Sequence, residues 1–188
     1  CSLIVKNSIS DYACFLRGIN VGGHKKVPMA ELRASFESLG FREVRTLLNS
    51  GNVVFHTATE PEAALDRRIA AKLKATFGFD IGVITRTMKS LRQMVRADPF
   101  KGIPVTPDTR LYVTFFSAPP VNKLELPYES KDKGLRILGF TDAALFTVLT
   151  LSGKRGSVDA MAFIEKTFGQ GVTTRNWNTI LRMVEKGS

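Results

Sequence analysis

Between Tyr12 and Thr85 the spacing of apolar residues alternates between a period of about two and one of about 3.6, and few folds accommodate the order in which it does so. Tyr12 to Gly18 is a short apolar run closed by glycine, which reads as a buried strand. Pro28 suits the first turn of a helix in which Met29, Leu32, Phe36 and Leu39 recur at three- and four-residue steps until Gly40. Val44 to Leu48 and Val53 to Phe55 read as two strands of a hairpin around "NSGN", where Gly51 and Asn52 supply the turn. Glu60 to Phe77 places Leu65, Ile69, Leu73 and Phe77 on one helical side, with Gly78 as its stop. Ile81 to Thr85 is a fourth strand. The order β-α-β-β-α-β predicts a split βαβ, or ferredoxin-like, unit: a four-stranded sheet covered by two helices.

The second half is less regular. Thr87 to Ala97 predicts one more short helix, ended by "DP" because a residue before proline avoids the helical region. Three prolines and a glycine between Pro99 and Thr109 mark a connector, so the expected division is 11–98 for the ferredoxin-like subdomain and 99–188 for a second α+β subdomain. Strands are predicted at Leu111–Phe116, Leu135–Phe140 and Leu145–Leu151, with at most a short helical turn in "PPVNKLELPYES". Ser157 is read as the cap of a helix using Val158, Met161, Ile164 and Phe168. A final helix from about Arg175 to Lys186, capped by Thr173 or Thr174, buries Trp177, Ile180, Leu181 and Val184. The fold class is α+β throughout.

A chain of 188 residues, 44% apolar, can bury a real core. Its net charge of +10 is spread, with 15 basic against 9 acidic residues through Asp98 and 12 against 8 beyond it. Spread positive charge steers anionic partners, nucleic acid or a phosphorylated small molecule, and serves solubility equally well. Cys1 and Cys14 cannot build a disulfide framework, and Cys14 falls inside a strand, which fits a buried thiol in a reducing cytoplasm. No run reaches the ~18 apolar residues of a membrane span, so no membrane partner is expected. The chain opens without methionine, and residues 1–10 are read as a trimmed or added end without functional weight.

Three polar blocks carry what chemistry the sequence offers. In "LRGINVGGHKKVP" the loop after the first strand combines Arg17, Asn20, Gly22, Gly23, His24, Lys25 and Lys26, and Pro28 sets it at the amino end of a helix. Unpaired backbone N–H groups and the positive dipole end gather there, and glycine lets an anion approach the backbone. A phosphate or carboxylate is the ligand this chemistry suits. The spacing matches neither GxxxxGK[ST] nor GxGxxG, and the same residues also describe a tight turn with solvated lysines. Asn49, Ser50, Gly51 and Asn52 hold no ionisable group, so they bind or orient, or simply turn the chain. Arg175, Asn176 and Asn178 in "TTRNWN" form a donor set within one helical turn, with Trp177 on the core stripe. Joined between the halves, the blocks would make a cationic, donor-rich site.

Catalytic signals are sparse. His24 and His56 lie in or beside polar turns, no Cys/His/Asp spacing suits a metal, and no GxSxG or paired-carboxylate motif occurs. No cofactor or metal is expected, and an enzyme would need distant residues to converge between the subdomains. A nucleic-acid module is the other alternative. "GNVVF" echoes the end of an RNA-recognition strand with Phe15 on the neighbouring one, although a covering domain would turn Phe15 and Phe55 into core residues. Oligomeric state is not encoded in any readable motif.

"LRGINVGG", then "KVPMAELR", "LLNSGNVVF" and "VTTRNWNT" together resemble the bacterial family called domain of unknown function 1697, over about Tyr12 to Glu185. The resemblance implies an α+β chain of two subdomains, the first ferredoxin-like. It implies no reaction, cofactor or catalytic residue. Where family members often carry an aromatic before "SGN", this chain has Leu47-Leu48-Asn49.

Overall fold

A computed structural model of the chain describes residues 8–120, 124–151 and 157–186, the side chains of 157–159 excepted. The chain divides into two compact units, the second being Arg92–Glu185 and the first comprising the residues before it together with those from Lys186 onward.

In the first unit the elements run β1 (Ile9–Arg17), α1 (Met29–Ser38), β2 (Arg42–Leu47), β3 (Asn52–Ala58), α2 (Glu62–Phe77), β4 (Gly82–Thr87) and the start of α3 (Met88–Ala97). The sheet order is β2-β3-β1-β4 with every pairing antiparallel, which is the predicted ferredoxin-like arrangement. Tyr12, Cys14 and Leu16 of β1 join Val53 and Phe55 of β3 in a core against Leu32 and Phe36 of α1 and Leu65, Ile69 and Leu73 of α2. Rings concentrate here: Phe41 and Phe55 stack with centroids 4.4 Å apart, and Tyr12 lies 5.7 Å from Phe55. The Tyr12 hydroxyl donates to the Glu60 carbonyl at 2.9 Å, fixing the entry to α2. Ala13, Phe15, Val54 and Ile84, on the opposite sheet face, are buried too. Phe15 and Phe55 are therefore core rings with no surface for stacking a base.

α2 ends as its sequence requires, on Gly78 at φ 80°. Edge strand β2 is broken by an irregularity between Arg42 and Arg45 with Glu43 at φ 51°, a device that, with the two arginines, discourages edge-to-edge pairing.

The second unit contains the remainder of α3, then β5 (Thr109–Phe116), β6 (Tyr128–Glu129), β7 (Leu135–Phe140), β8 (Ala144–Thr150), α4 (Ser157–Phe168), β9 (Val172–Asn176) and α5 (Trp177–Lys186). Its antiparallel sheet has the order β6-β7-β8-β5-β9. Phe116, Ile137, Leu145, Leu149 and Val172 pack with Ile164 of α4. Phe100 meets Trp177 edge-on at 5.2 Å and Phe146 at 6.1 Å. Among the described residues no helix is long and apolar enough to cross a membrane.

The expectation for the last helix is corrected in its start, in its cap and at Leu181, which is exposed while Met183 is buried. "VTTRN" is a strand, not the opening of the last helix: Tyr112 to Phe116 pair in register with Asn176 to Val172. α5 accordingly begins at Trp177, and the Asn178 N–H donates to Asn176 Oδ1 at 2.9 Å, so Asn176 caps the helix in place of Thr173 or Thr174. In "PPVNKLELPYES" the described residues hold the two-residue strand β6 and no helix, with 121–123 outside the description. The expected cap at Ser157 is the first residue of α4, and its side chain lies outside the described residues.

One half-buried carboxyl group of the first unit is displaced from its ordinary behaviour. Burial pushes Asp66 of α2 up from 3.8 to about 6, even though the Thr85 N–H donates to its Oδ1 at 2.7 Å. A carboxyl whose folded pKa exceeds its unfolded value binds its proton more tightly in the folded state, so its contribution to stability is full below about pH 4 and declines as pH rises to 6. Asp66→Asn should therefore gain stability relative to wild type as pH rises through that window, with the difference levelling above it, in urea unfolding series at stepped pH.

Candidate functional site

The loop after β1 turns on five left-handed backbone positions. Gly18, Gly22 and Gly23 have φ of 69°, 59° and 77°, and Asn20 and Lys25 join them at 55° and 48°. Glycine adopts such angles without cost and asparagine nearly so, whereas a lysine there stores about 1 kcal/mol or more. Lys25 is held by its head group, which lies 5.7 Å from the Phe79 ring centroid and donates to the Asp80 carbonyl at 3.4 Å.

Asn20 is the clamp of the loop. Its Oδ1 accepts the Val27 N–H at 2.8 Å, and its Nδ2 donates to the carbonyls of Val27 at 3.0 Å and Asn49 at 2.9 Å. Its backbone N–H reaches the Lys25 carbonyl at 3.2 Å, while the His24 N–H closes a smaller turn on Val21 at 3.1 Å. A single amide thus joins the start of the loop, its end and the β2–β3 turn. Both amide protons are committed.

The hairpin block serves the fold in the same way. The Gly51 carbonyl accepts the Leu16 N–H at 2.8 Å, and a Cβ on Gly51 would fall 2.7 Å from Ile19 Cδ1 and 2.8 Å from Leu16 Cβ. Asn52 is fully buried, donating from Nδ2 to the Leu47 carbonyl at 3.0 Å and to Ser50 Oγ at 2.9 Å.

Loop and hairpin turn together border a cavity of about 470 Å³, lined by Asn20, Gly23, Lys26, Val27, Pro28, Met29 and Asn49. It sits at the amino end of α1, whose cap residue Pro28 makes no side-chain hydrogen bond. The first ladder bond of α1 is the Leu32 N–H to the Pro28 carbonyl, so the N–H groups of Met29, Ala30 and Glu31 precede the ladder. Lys26 is exposed and forms no ion pair among the described residues. Exposed apolar Val21 and Leu48 stand in the same two loops.

The remaining predicted residues are not among those that line this cavity. His24 is exposed within the small turn, and Arg17 ends β1 opposite Gly82 of β4. Arg175, Asn176 and Asn178 belong to the second unit. There the Arg175 side chain is buried, its Nη1 donating to Thr173 Oγ1 and to the Thr174 carbonyl, both at 2.9 Å. The donor set expected within one helical turn is instead divided between a strand and the helix it leads into.

The fold defines an α+β protein of two units, the first a split βαβ with a clamped, glycine-rich β1–α1 loop. The chain belongs to the family described as protein of unknown function, DUF1697, which matches residues 9–146. Among solved structures it is similar to the conserved bacterial protein SP0830 from Streptococcus pneumoniae, with a TM-score of 0.67 and 20% identity over 95% of this chain and 98% of that one. That likeness is one of fold. A protein described as unknown, from Galdieria sulphuraria, aligns over 90% of this chain and 98% of its own at 14% identity, with a TM-score of 0.26. No curated protein matches.

Gly51→Ala combines a left-handed backbone angle with two contacts too short for any Cβ, and it should cost about 2 to 4 kcal/mol of folding stability. Chemical denaturation measures it directly. A loss below about 1 kcal/mol would mean that the turn relaxes away from β1.

Proposed function

We propose that the chain binds a small phosphorylated or carboxylated ligand at the β1–α1 loop. The observation that carries this reading is the cavity at the uncapped amino end of α1, which Lys26, Gly23, Asn20, Asn49, Pro28 and Met29 line. Three features support an anion. The first-turn N–H groups of a helix and its positive dipole end favour negative charge. Gly23 has no side chain to keep a ligand from the backbone, and nothing lies within 4 Å of where its Cβ would be. The net charge of +10 adds long-range attraction.

Of the three basic loop residues, Lys26 is the one that borders the cavity, whereas Lys25 is occupied at Phe79 and Asp80. The ligand supplies the counter-charge to a group that forms no ion pair among the described residues. A charge-assisted hydrogen bond contributes about 1.5 to 3 kcal/mol when desolvated and less where water competes. Affinity in the millimolar to micromolar range is the scale such a site reaches.

The test is a thermal-shift titration with inorganic phosphate and with glycerol phosphate. Wild type should be stabilised by a few degrees at saturating ligand. Lys26→Glu should lose that stabilisation while melting at the ligand-free wild-type temperature, because exposed substitutions change stability by about 0.5 kcal/mol or less. Absence of a shift in wild type, or an equal shift in Lys26→Glu, refutes the reading. Oligonucleotide binding that weakens steeply with salt, without any response to phosphate, would refute it in favour of a nucleic-acid module.

A further inference from the structure

The second unit contains a larger cavity, about 560 Å³, where the loop between α3 and β5 faces the junction of β9 with α5. Its lining includes Asp98, Phe100, Thr109, Arg110, Trp177 and Asn178. The rim is rigid. Thr109 Oγ1 accepts the Thr106 N–H at 3.1 Å and lies 2.9 Å from Thr106 Oγ1, and the Thr109 N–H returns to the Thr106 carbonyl at 3.0 Å. Arg110 is fixed by one end of its fork, with Nη1 donating to the carbonyls of Pro107 at 2.6 Å and Thr109 at 2.9 Å. Its Nε and Nη2 make no bond to any described residue, and no carboxylate pairs with it there. A guanidinium anchored in this way presents the donor pair that matches a carboxylate.

Asp98 brings the opposite charge to the same cavity. It is a non-glycine residue at φ 45°, held by its N–H to the Val95 carbonyl at 3.2 Å and by the Lys101 N–H to its own carbonyl at 3.0 Å. Its carboxylate takes part in no ion pair among the described residues. Left-handed backbone at an acidic residue bordering a cavity is the kind of strain that accompanies binding sites. The cavity lining also holds two aromatic rings, Phe100 and Trp177, packed edge to face. At the amino end of α5 the Asn178 N–H is taken by Asn176 Oδ1, which leaves the Asn178 side chain as a neutral hydrogen-bonding group.

We propose that this cavity binds a free α-amino acid with an apolar or aromatic side chain. The carboxylate meets Arg110, the ammonium meets Asp98, and the side chain lies against Phe100 and Trp177. The pairing of one fixed cation with one carboxylate, each without a counter-ion among the described residues, selects a zwitterion over a simple anion, for which Asp98 would be repulsive. The volume lies within the range of small-molecule sites and exceeds a single amino acid, so water accompanies the ligand. The site is formed by the second unit alone and does not depend on the loop of the first.

The chain carries a built-in reporter, because Trp177 is its sole tryptophan and borders the cavity. Titration with phenylalanine, exciting the indole selectively, should give a saturable change in emission with half-saturation on the order of 1 mM or below. N-acetylphenylalanine, which lacks the ammonium, and phenylalanine amide, which lacks the carboxylate, should each bind about tenfold or more weakly. Asp98→Asn keeps a residue suited to left-handed backbone and should abolish the preference for phenylalanine over its N-acetyl derivative. Arg110→Met should abolish the preference over the amide, and if its melting temperature falls, Arg110→Gln supplies the same comparison with a neutral hydrogen-bonding side chain. Lys26→Glu should leave the titration unchanged, which separates this site from the anion site of the first unit. No saturable change with phenylalanine at about 10 mM overturns the proposal. Equal binding of phenylalanine and its N-acetyl derivative by wild type overturns it too, because Asp98 would then play no part.

Discussion

The first unit depends on a single strand whose middle, Tyr12 to Leu16, is closed off from water. β1 is hydrogen-bonded to β3 on one side and β4 on the other, and each side chain from Tyr12 to Leu16 is buried. A strand in that position satisfies its backbone through both neighbours and uses both rows of side chains for packing. Tyr12, Cys14 and Leu16 enter the core beneath the two helices, and the Tyr12 hydroxyl reaches the Glu60 carbonyl at the entry to α2. The end of β1 is equally constrained, since the Leu16 N–H is taken by the Gly51 carbonyl from the hairpin turn. The glycine-rich loop therefore leaves the sheet at a point already secured to the residues that border its cavity.

This arrangement explains how glycines and lysines can share one loop without making it shapeless. Five left-handed positions between Gly18 and Lys25 would leave an isolated peptide with many conformations. Asn20 removes most of them by tying Val27 and Asn49 together through one amide, and Lys25 is drawn to Phe79 and Asp80. Among the described residues Lys26 forms no ion pair, and the first-turn N–H groups of α1 precede its ladder. Conformational constraint and chemical availability are thus divided among neighbouring residues, so that the asparagine organises and the second lysine is left exposed.

The legible parts of the fold were those whose burial is periodic. α2 shows its apolar stripe at Leu65, Ile69 and Leu73 and its stop at Gly78, and each takes the role that its spacing indicates. β9 escaped because "VTTRN" has only one apolar residue and its burial pattern does not alternate. Two threonines ahead of a helix look like caps. Here they are β-branched members of an edge strand pairing with β5, and the preference of Thr for pleated backbone was the only local signal of it. The cavity between the α3–β5 loop and the start of α5 was hidden for another reason. Asp98 and Arg110 are ordinary charged residues in a proline-rich stretch, and their relation to Trp177 exists only once β9 has been paired beside β5.

The sequence by itself determined the α+β class, the β-α-β-β-α-β order of the first unit and the presence of a left-handed, basic turn after its first strand, because periodicity and glycine placement are local properties of a chain. Tertiary structure decided which polar residues are spent on the fold. Asn20, Gly51, Asn52 and Arg175 read as donors or turn formers in sequence, yet each makes close contacts within the protein. Lys26, Asp98 and Arg110 carry charge that no described carboxylate or cation pairs with. Whether a polar group is consumed or available depends on atoms brought to within about 3 Å from remote parts of the chain, and only pairing and packing set those distances.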